Sequence, residues 1–563
     1  MTTLEPGVHR STASAWRTSG LALLPLLLWA SAAGLYWLHL TAGPERQAIT
    51  IRWKPATDDL ARLSAESALK LRDGESSEPD LWVYQPRDRS PAAMRAIVAH
   101  PLVVDTGHID RTTFRVLIDR PDLPRLLRRL LEAHAGPGTA LALLALGFVG
   151  AWTTRRHLTH ILERLESRPS WGLGLSIASL ALGFACFADN GQGVDENIHY
   201  DQIARIVRGD WTLHPSLTVI PGFHALVAGL AWVGGGVSEF SLRALMLAFS
   251  VAAVVTFSRL ASATGAGPVA TRTLQFTFLP IVFPQFFLIY TDVAALACVL
   301  LMVLSAVRGR LAAAGLLGLA ACLMRQSNIV WVAFTMLWAH VHTFGWTWLP
   351  LGQGLRRYWS FVLTGAAFLL FVVLNGGEVA LGEDVGSHPL GTLHLANVAL
   401  LLFLACFLFV PLWWSARRTV VTVLASRWTW LAVAAVFALV VVGFVNDHPH
   451  NNERADYFLP NRILMWAASG PGPKALFAIP VVLATLGFGA TRPRSAWWLL
   501  YPFAILALLP EWLVVPRYYL VPLALFLAVR EPASVEAERV QTVLFAVASI
   551  ILFVVVDQGL GWV

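Results

Sequence analysis

The sequence predicts an all-α polytopic membrane protein of about fifteen transmembrane helices, with a small α+β exterior domain inserted after the first helix. Three observations lead there. The 563 residues are 56% hydrophobic and only 14% charged, with a mean hydropathy of +0.60, a balance that a water-soluble protein has no means of hiding. Apolar runs alternate with two kinds of connection, one rich in arginine and the other in acids, amides and histidines. A single stretch, 43–136, interrupts this rhythm with charged, only moderately apolar sequence. The net charge of +7 does not point to nucleic acid, because the arginines stand at the ends of apolar runs rather than along one face. No nucleic-acid partner is expected.

In chain order, 1–42 is read as an N-terminal tail and first transmembrane helix. Its Ala30-Ser-Ala-Ala run has the small residues of a signal-peptidase site, which leaves cleavage open. The 43–136 stretch is the exterior domain: Ala48 to Trp53, Leu81 to Tyr84 and Thr113 to Ile118 alternate like strands, while Asp58 to Leu71 and Leu123 to His134 have helical spacing. Residues 137–170 form the second span and a loop, and 171–563 a transmembrane core. Runs long enough to span start near 19, 137, 171, 240, 270, 292, 311, 328, 358, 394, 428, 473, 496, 515 and 541. Pro221 to Gly234 is short and Gly-rich and is read as a helix lying along the membrane, since a full span there would invert every later arginine.

Arg10/Arg17, Arg155/Arg156, Arg272, Arg308/Arg310, Arg356/Arg357, Arg417/Arg418/Arg427, Arg492/Arg494 and Arg530 all fall on one side, which the positive-inside rule makes the cytoplasm. The other side collects Asp195/Glu196, Tyr290 to Asp292, Arg325 to Asn328, Glu378 to His388, Asn446 to Arg462 and Glu511 to Tyr518. Intramembrane and boundary charges are costly, so this clustering marks a site. Asp195 and Glu196 open a loop directly after an apolar span, and a carboxylate there can take the proton of an attacking hydroxyl. Asp292 either caps a helix or shares that site. Arg325, with Gln326 and Asn328 beside it, offers a planar fork of donors suited to phosphate, and Arg517 is a second such contact. His448, His450 and Arg462 lie in the most polar loop outside 43–136 and fit a phosphate or sugar. Two His at i, i+2 make a weak metal signal, so no cofactor is expected and a divalent metal stays open. The four cysteines lie inside apolar runs and no CxxC occurs, so neither a disulfide framework nor a zinc site is expected. No P-loop, GxGxxG or Gly-x-Ser-x-Gly elbow occurs either.

Asp195-Glu196-x-x-His199 with Pro221-Gly222, Tyr290-Thr-Asp292, Arg325-Gln-Ser-Asn-Ile-Val-Trp331, Asp447-His-Pro-His-Asn451 with Tyr457-Phe and Asn461-Arg462, and Arg517-Tyr-Tyr-Leu-Val-Pro appear in an order shared with one family. Over roughly 171–530 the chain resembles the dolichyl-phosphate-glucose-dependent α-1,2-glucosyltransferases of the N-glycan precursor pathway, the Arg325 block being the most specific piece. The resemblance implies a type C (GT-C) membrane glycosyltransferase that uses a sugar carried on a polyprenyl phosphate, at the exterior face, by an inverting displacement. It makes Asp195 the first choice for the base, Glu196 the second and Asp292 a supporting acid. Arg325, Arg462 and Arg517 become phosphate contacts, with His199, Gln326, Asn328, His448 and His450 as further substrate contacts. The partners implied are the lipid-linked donor, a glycan or lipid-linked acceptor and the membrane. Arginine-dominated composition suggests a bacterial chain, hence an inner membrane with a periplasmic site and an acceptor that does not transfer from the family; glucose is the default sugar. A lipid-linked glycan transporter or flippase is the alternative, and it predicts charges spread through the depth of the bundle rather than gathered at one face.

Overall fold

The computed structural model describes residues 163–188, 193, 195–234, 236–265, 267–382, 392–453, 458–491, 493 and 495–557, together with four strands and a few residues between them in the region 49–108. The first two expected spans, the expected elements between 109 and 136, Arg492, Arg494 and Tyr457 lie outside the described residues. The chain divides into two compact units, 1–110 with 114–161, and 111–113 with 162–563.

In the first unit, β1 (Ile49–Trp53), β2 (Leu71–Glu78), β3 (Leu81–Pro86) and β4 (Val103–His108) form an antiparallel sheet in the order β2-β3-β1-β4. β1 and β3 stand where alternation predicted strands, with Ile49 opposite Tyr84 and Ile51 opposite Trp82. β2 and β4 were not foreseen. β2 reads LRDGESSE, with no alternation, and it pairs only as a twisted edge strand whose register slips at Arg72/Glu75 and Ser76/Glu78.

The second unit is helical. It begins with α1 (Pro169–Phe187), α2 (Glu196–Val207), α3 (Gly222–Val233), α4 (Glu239–Thr264), α5 (Val269–Thr277), α6 (Thr291–Val307), α7 (Leu311–Met324) and α8 (Ile329–Phe344). It continues with α9 (Leu351–Leu374), α10 (Leu395–Leu408), α11 (Val410–Ser415), α12 (Arg417–Leu424), α13 (Arg427–Gly443) and α14 (Pro449–Glu453). The last helices are α15 (Leu459–Ala468), α16 (Pro471–Ala490), α17 (Leu500–Leu508), α18 (Leu520–Val529) and α19 (Val535–Asp557). The helix ends carry their own signals. At α4, Ser238 and Ser241 form a reciprocal capping box, and Gly265 ends the helix in the left-handed region at φ 62°.

Among the described residues α1, α4, α9 and α16 are long and apolar enough to cross a membrane, and α12 with α13 makes a fifth candidate bent by 99°. The protein is thus an integral membrane protein, but among the described residues most of the runs expected to span are too short to do so. Windows read as separate spans are shorter apolar helices: α6 has 17 residues and α7 only 14, about 26 and 21 Å at 1.5 Å per residue. Polar breaks end them early. The extended backbone of Tyr290 starts α6, and Arg325, extended at φ −158° and ψ 114°, stops α7 before the single turn Gln326–Asn328 leads into α8.

α3, expected to be short, has 12 residues and is two-faced, with Phe223, His224, Val227, Ala228 and Ala231 buried and Leu226, Leu230, Trp232 and Val233 exposed. Its buried side packs with Ile203 of α2, Met246 of α4 and Met324 of α7. Gly222 makes this seat possible, since a Cβ there would stand 2.5 Å from the Leu323 carbonyl oxygen, two residues before the α7 break. Two of the arginines read as topology markers are instead buried structural residues. Arg272 donates to the Leu527 carbonyl at 2.7 Å, and both Arg272 and Arg530 pair with Glu538 in α19.

Candidate active site

All six polar connections that the sequence set on one side contribute to a single cavity of about 660 Å³. Asp195 and His199 come from the start of α2, Tyr290 to Asp292 from the start of α6, and Arg325 to Ser327 from the α7–α8 break. Val379 and Ala380, then His448, His450 and Phe458, then Pro510 to Tyr518 with gaps, complete the wall. The volume lies within the range of about 300–1,000 Å³ usual for small-molecule sites.

Two carboxylate–arginine pairs dominate it. Asp195 is the N-cap residue of α2, yet its side chain makes no cap; Oδ2 instead accepts from an Arg517 terminal nitrogen at 2.9 Å. Asp292, in the first turn of α6 where a helix favours negative charge, accepts from Arg325. The pairs interlock through aromatic rings: the Arg517 guanidinium lies 5.4 Å from the centre of the Tyr290 ring, and Arg325 lies 4.9 Å from that of Tyr518. These two tyrosines were quoted in the motifs without a role; their adjacency to the charges was the available signal. The pairs differ in access, since the Asp195 side chain is 33% exposed and that of Asp292 6%. Burial pushes the Asp195 carboxyl up, but Arg517, His199 and His450 outweigh it and hold the group below its ordinary value.

Glu196, expected as the second choice for the base, is turned away from the cavity lining. Its carboxylate is fully buried and saturated: Oε2 accepts from the Gly193 backbone at 2.7 Å and from Arg243 at 3.2 Å, and Oε1 from the Ile289 backbone at 2.8 Å. Arg243 also donates to the Phe287 carbonyl at 2.9 Å, so the pair staples the Asp195 loop to the segment leading into Tyr290 and Asp292. Arg243, in the second turn of α4, escaped the sequence reading because its partners Phe287 and Glu196 lie 44 and 47 residues away.

Two more expected contacts make hydrogen bonds to the protein's own backbone. Gln326 lines the cavity, but its amide donates to the Thr218 and Val379 carbonyls at 2.8 and 3.1 Å, and its oxygen accepts from the Ile220 backbone at 3.2 Å. Asn328 is buried and donates at 3.0 Å to the Ala321 carbonyl, which also accepts from the Arg325 backbone at 3.0 Å. Arg462 is buried on α15 and is not among the lining residues. His448 and His450 do line the cavity; the His448 ring meets Trp512 edge to face, with centres 4.7 Å apart. Asn451, unforeseen, fixes this loop by exchanging two hydrogen bonds with the Val514 backbone, at 2.8 and 3.0 Å.

His199 lines the cavity together with the two ion pairs. Its Nδ1 lies 2.9 Å from Nε2 of His224 on α3, with the rings stacked at 28°. Burial brings His199 down to about 4 against the opposing pull of Asp195, so the ring is neutral at physiological pH. Among the described residues no group of three or more His, Cys, Asp or Glu is placed to hold a metal ion.

The family model described as "DIE2/ALG10 family" matches residues 190–349 and 346–528. The chain is similar to the "Dol-P-Glc:Glc(2)Man(9)GlcNAc(2)-PP-Dol alpha-1,2-glucosyltransferase" of Kluyveromyces lactis, 24% identical over 399 residues that cover 58% of this chain and 71% of that one. Proteins with the same name from Rattus norvegicus and Homo sapiens are 26% identical over 308 residues and 22% over 398. Those matches cover 45% and 59% of this chain, and 64% and 82% of the relatives. No solved structure matches the chain.

Proposed function

The chain belongs to the DIE2/ALG10 family, and from that premise we propose that it is an integral-membrane hexosyltransferase, glucose being the default sugar, whose donor is a polyprenyl-phosphate-linked hexose. The cavity supports the reading by its chemistry, because it holds the accessible Asp195 carboxylate beside two arginines. The acceptor hydroxyl attacks C1 of the sugar while Asp195 takes its proton; the C1–oxygen bond breaks with inversion and the polyprenyl phosphate leaves as an anion. Arg517 and Arg325 offset the charge that develops on that phosphate.

The unequal exposure of the three acids carries the assignment of the base. Asp195 reaches the cavity, Asp292 is nearly sealed beside Arg325, and Glu196 has neither access nor a free oxygen. The cavity wall at His448 and His450, with Trp512 packed behind His448, suits the acceptor, a glycan or a lipid-linked glycan. The positive-inside pattern puts the opening on the exterior face, periplasmic if the chain is bacterial.

The test incubates membranes containing the full chain with labelled polyprenyl-phosphate hexoses and identifies the labelled product. Transfer of label to a glycan supports the reading; movement of intact label across the bilayer without transfer would sink it in favour of a flippase.

A further inference from the structure

We propose that His224 is a positioning residue that fixes the tautomer of His199, so that His199 presents Nε2–H to a phosphate oxygen of the lipid-linked donor. The substrate in this inference rests on the function proposed above, while the tautomer rests on geometry alone.

A neutral imidazole has one N–H and one lone pair, and the 2.9 Å contact between His199 Nδ1 and His224 Nε2 admits two arrangements. If His199 donates, His224 must bear its proton on Nδ1. That atom is sealed from solvent and has no hydrogen-bond partner, so a donor would be left unmade inside an apolar pocket of Phe223 and its neighbours. If His224 donates from Nε2, only a lone pair is left unpaired at Nδ1. Orphaned buried N–H groups are the rarer and costlier of the two. The second arrangement therefore holds, and it puts the His199 proton on Nε2.

That nitrogen has no hydrogen-bond partner among the described residues, yet it is not among the atoms sealed without one, and His199 lines the cavity. His199 shares the cavity wall with Arg517 and Arg325, which would bring an anionic oxygen there. A fixed neutral donor adds direction there without adding charge. Burial keeps both rings neutral, which agrees with a single shared proton in the contact.

The test uses the full chain in lipid with the variants His224→Leu, His224→Gln, His199→Phe and the double variant His199→Phe/His224→Leu, each checked for folding by thermal melting in detergent. Gln keeps a donor near the Nε2 position and Leu does not. His224→Leu should lower kcat/KM for the polyprenyl-phosphate hexose by ~10-fold, the worth of about one hydrogen bond. His224→Gln should recover most of that loss, acceptor KM should not move, and the double variant should be no worse than His199→Phe. Equal damage from Gln and Leu, a rise in acceptor KM, or additive losses would overturn the proposal. Nitrogen-15 spectra of histidine-labelled protein read the tautomer without activity: one contact proton on His224 Nε2, with Nδ1 bare, is expected, and a protonated His224 Nδ1 would overturn it. A chain that transfers no hexose but shows the expected spectrum would sink the proposed function and leave the tautomer standing.

Discussion

The two ends of α18 carry arginine–carboxylate networks built from the same side chains to different ends. Before its first residue, Arg517 meets Asp195, with Arg325 and Asp292 alongside; just after its last, Arg530 and Arg272 converge on Glu538. At the Glu538 end the three side chains are 1–2% exposed, and each carboxylate oxygen accepts more than one hydrogen bond, from Arg530, Arg272, Gln275 and the Ala533 backbone. At the Asp195 end each acid has one arginine, and Asp195 and the two arginines stay 16–33% exposed to a cavity. Saturation and sealing mark charge used to join helices. Partial pairing at an opening marks charge kept for a ligand.

The largest effect expected from this contrast is at Asp195. Asp195→Asn removes the base but keeps the shape, so transfer from a polyprenyl-phosphate hexose should fall by about 10²–10⁴-fold. Donor binding should persist, since Arg517 loses a competitor for phosphate. Because Arg517 and the nearby imidazoles outweigh burial and hold the Asp195 carboxyl below its ordinary value, it is already ionised well below neutrality. The wild-type kcat/KM for donor should therefore stay flat from about pH 7.5 down to about pH 5, and a fall centred near pH 6–7 would point to a different base. Full activity in the Asn variant would break the distinction between the two ends.

Glu538→Ala should act on the fold instead. It leaves Arg272 and Arg530 buried without their shared acid, a loss on the order of 3–5 kcal/mol. The measurement is the melting temperature and folded yield in detergent, with kcat/KM per folded molecule nearly unchanged. A variant that melts normally but transfers no sugar would show that the sealed network also serves the chemistry.

This contrast explains what the sequence made legible. Acids and arginines in an apolar chain stand out because they are costly, so Asp195, Asp292, Arg325 and Arg517 were found, as was the convergence of their connections. Saturation is invisible in the sequence, because the partners are distant backbone atoms: Glu196 is held by Ile289, 93 residues on, and Gln326 by Thr218, 108 residues back. The same blindness turned Arg272 and Arg530 into topology markers. Helix number failed for a related reason, since a window of about 20 residues presumes a full crossing and α6 and α7 stop short at polar breaks.

A smaller effect separates Arg325 from its partner. Arg325→Ala should raise donor KM by ~10–100-fold, the range for losing a charged hydrogen bond. Because that change also strands Asp292, the sharper variant is Arg325→Ala with Asp292→Asn, which removes the stranded charge. Donor KM that stays high in the double variant assigns Arg325 to phosphate, whereas recovery would make the pair structural, like the Glu538 network.

The smallest effect concerns Asn328, which the sequence alone would make a ligand and the structure makes a helix cap. Its amide reaches back seven residues to the Ala321 carbonyl, a second donor there beside the Arg325 backbone N–H. Asn328→Ala removes one of the two donors to that carbonyl and should cost about 0.5–1.5 kcal/mol. The loss should appear as a lower melting temperature with donor KM unchanged, because the side chain neither lines the cavity nor has spare amide access to it. Arg325 depends on the geometry of that break, so a loosened cap should lower kcat modestly before it touches affinity. A tenfold rise in donor KM at normal stability would restore Asn328 to the ligand set and blur the line between framework and site.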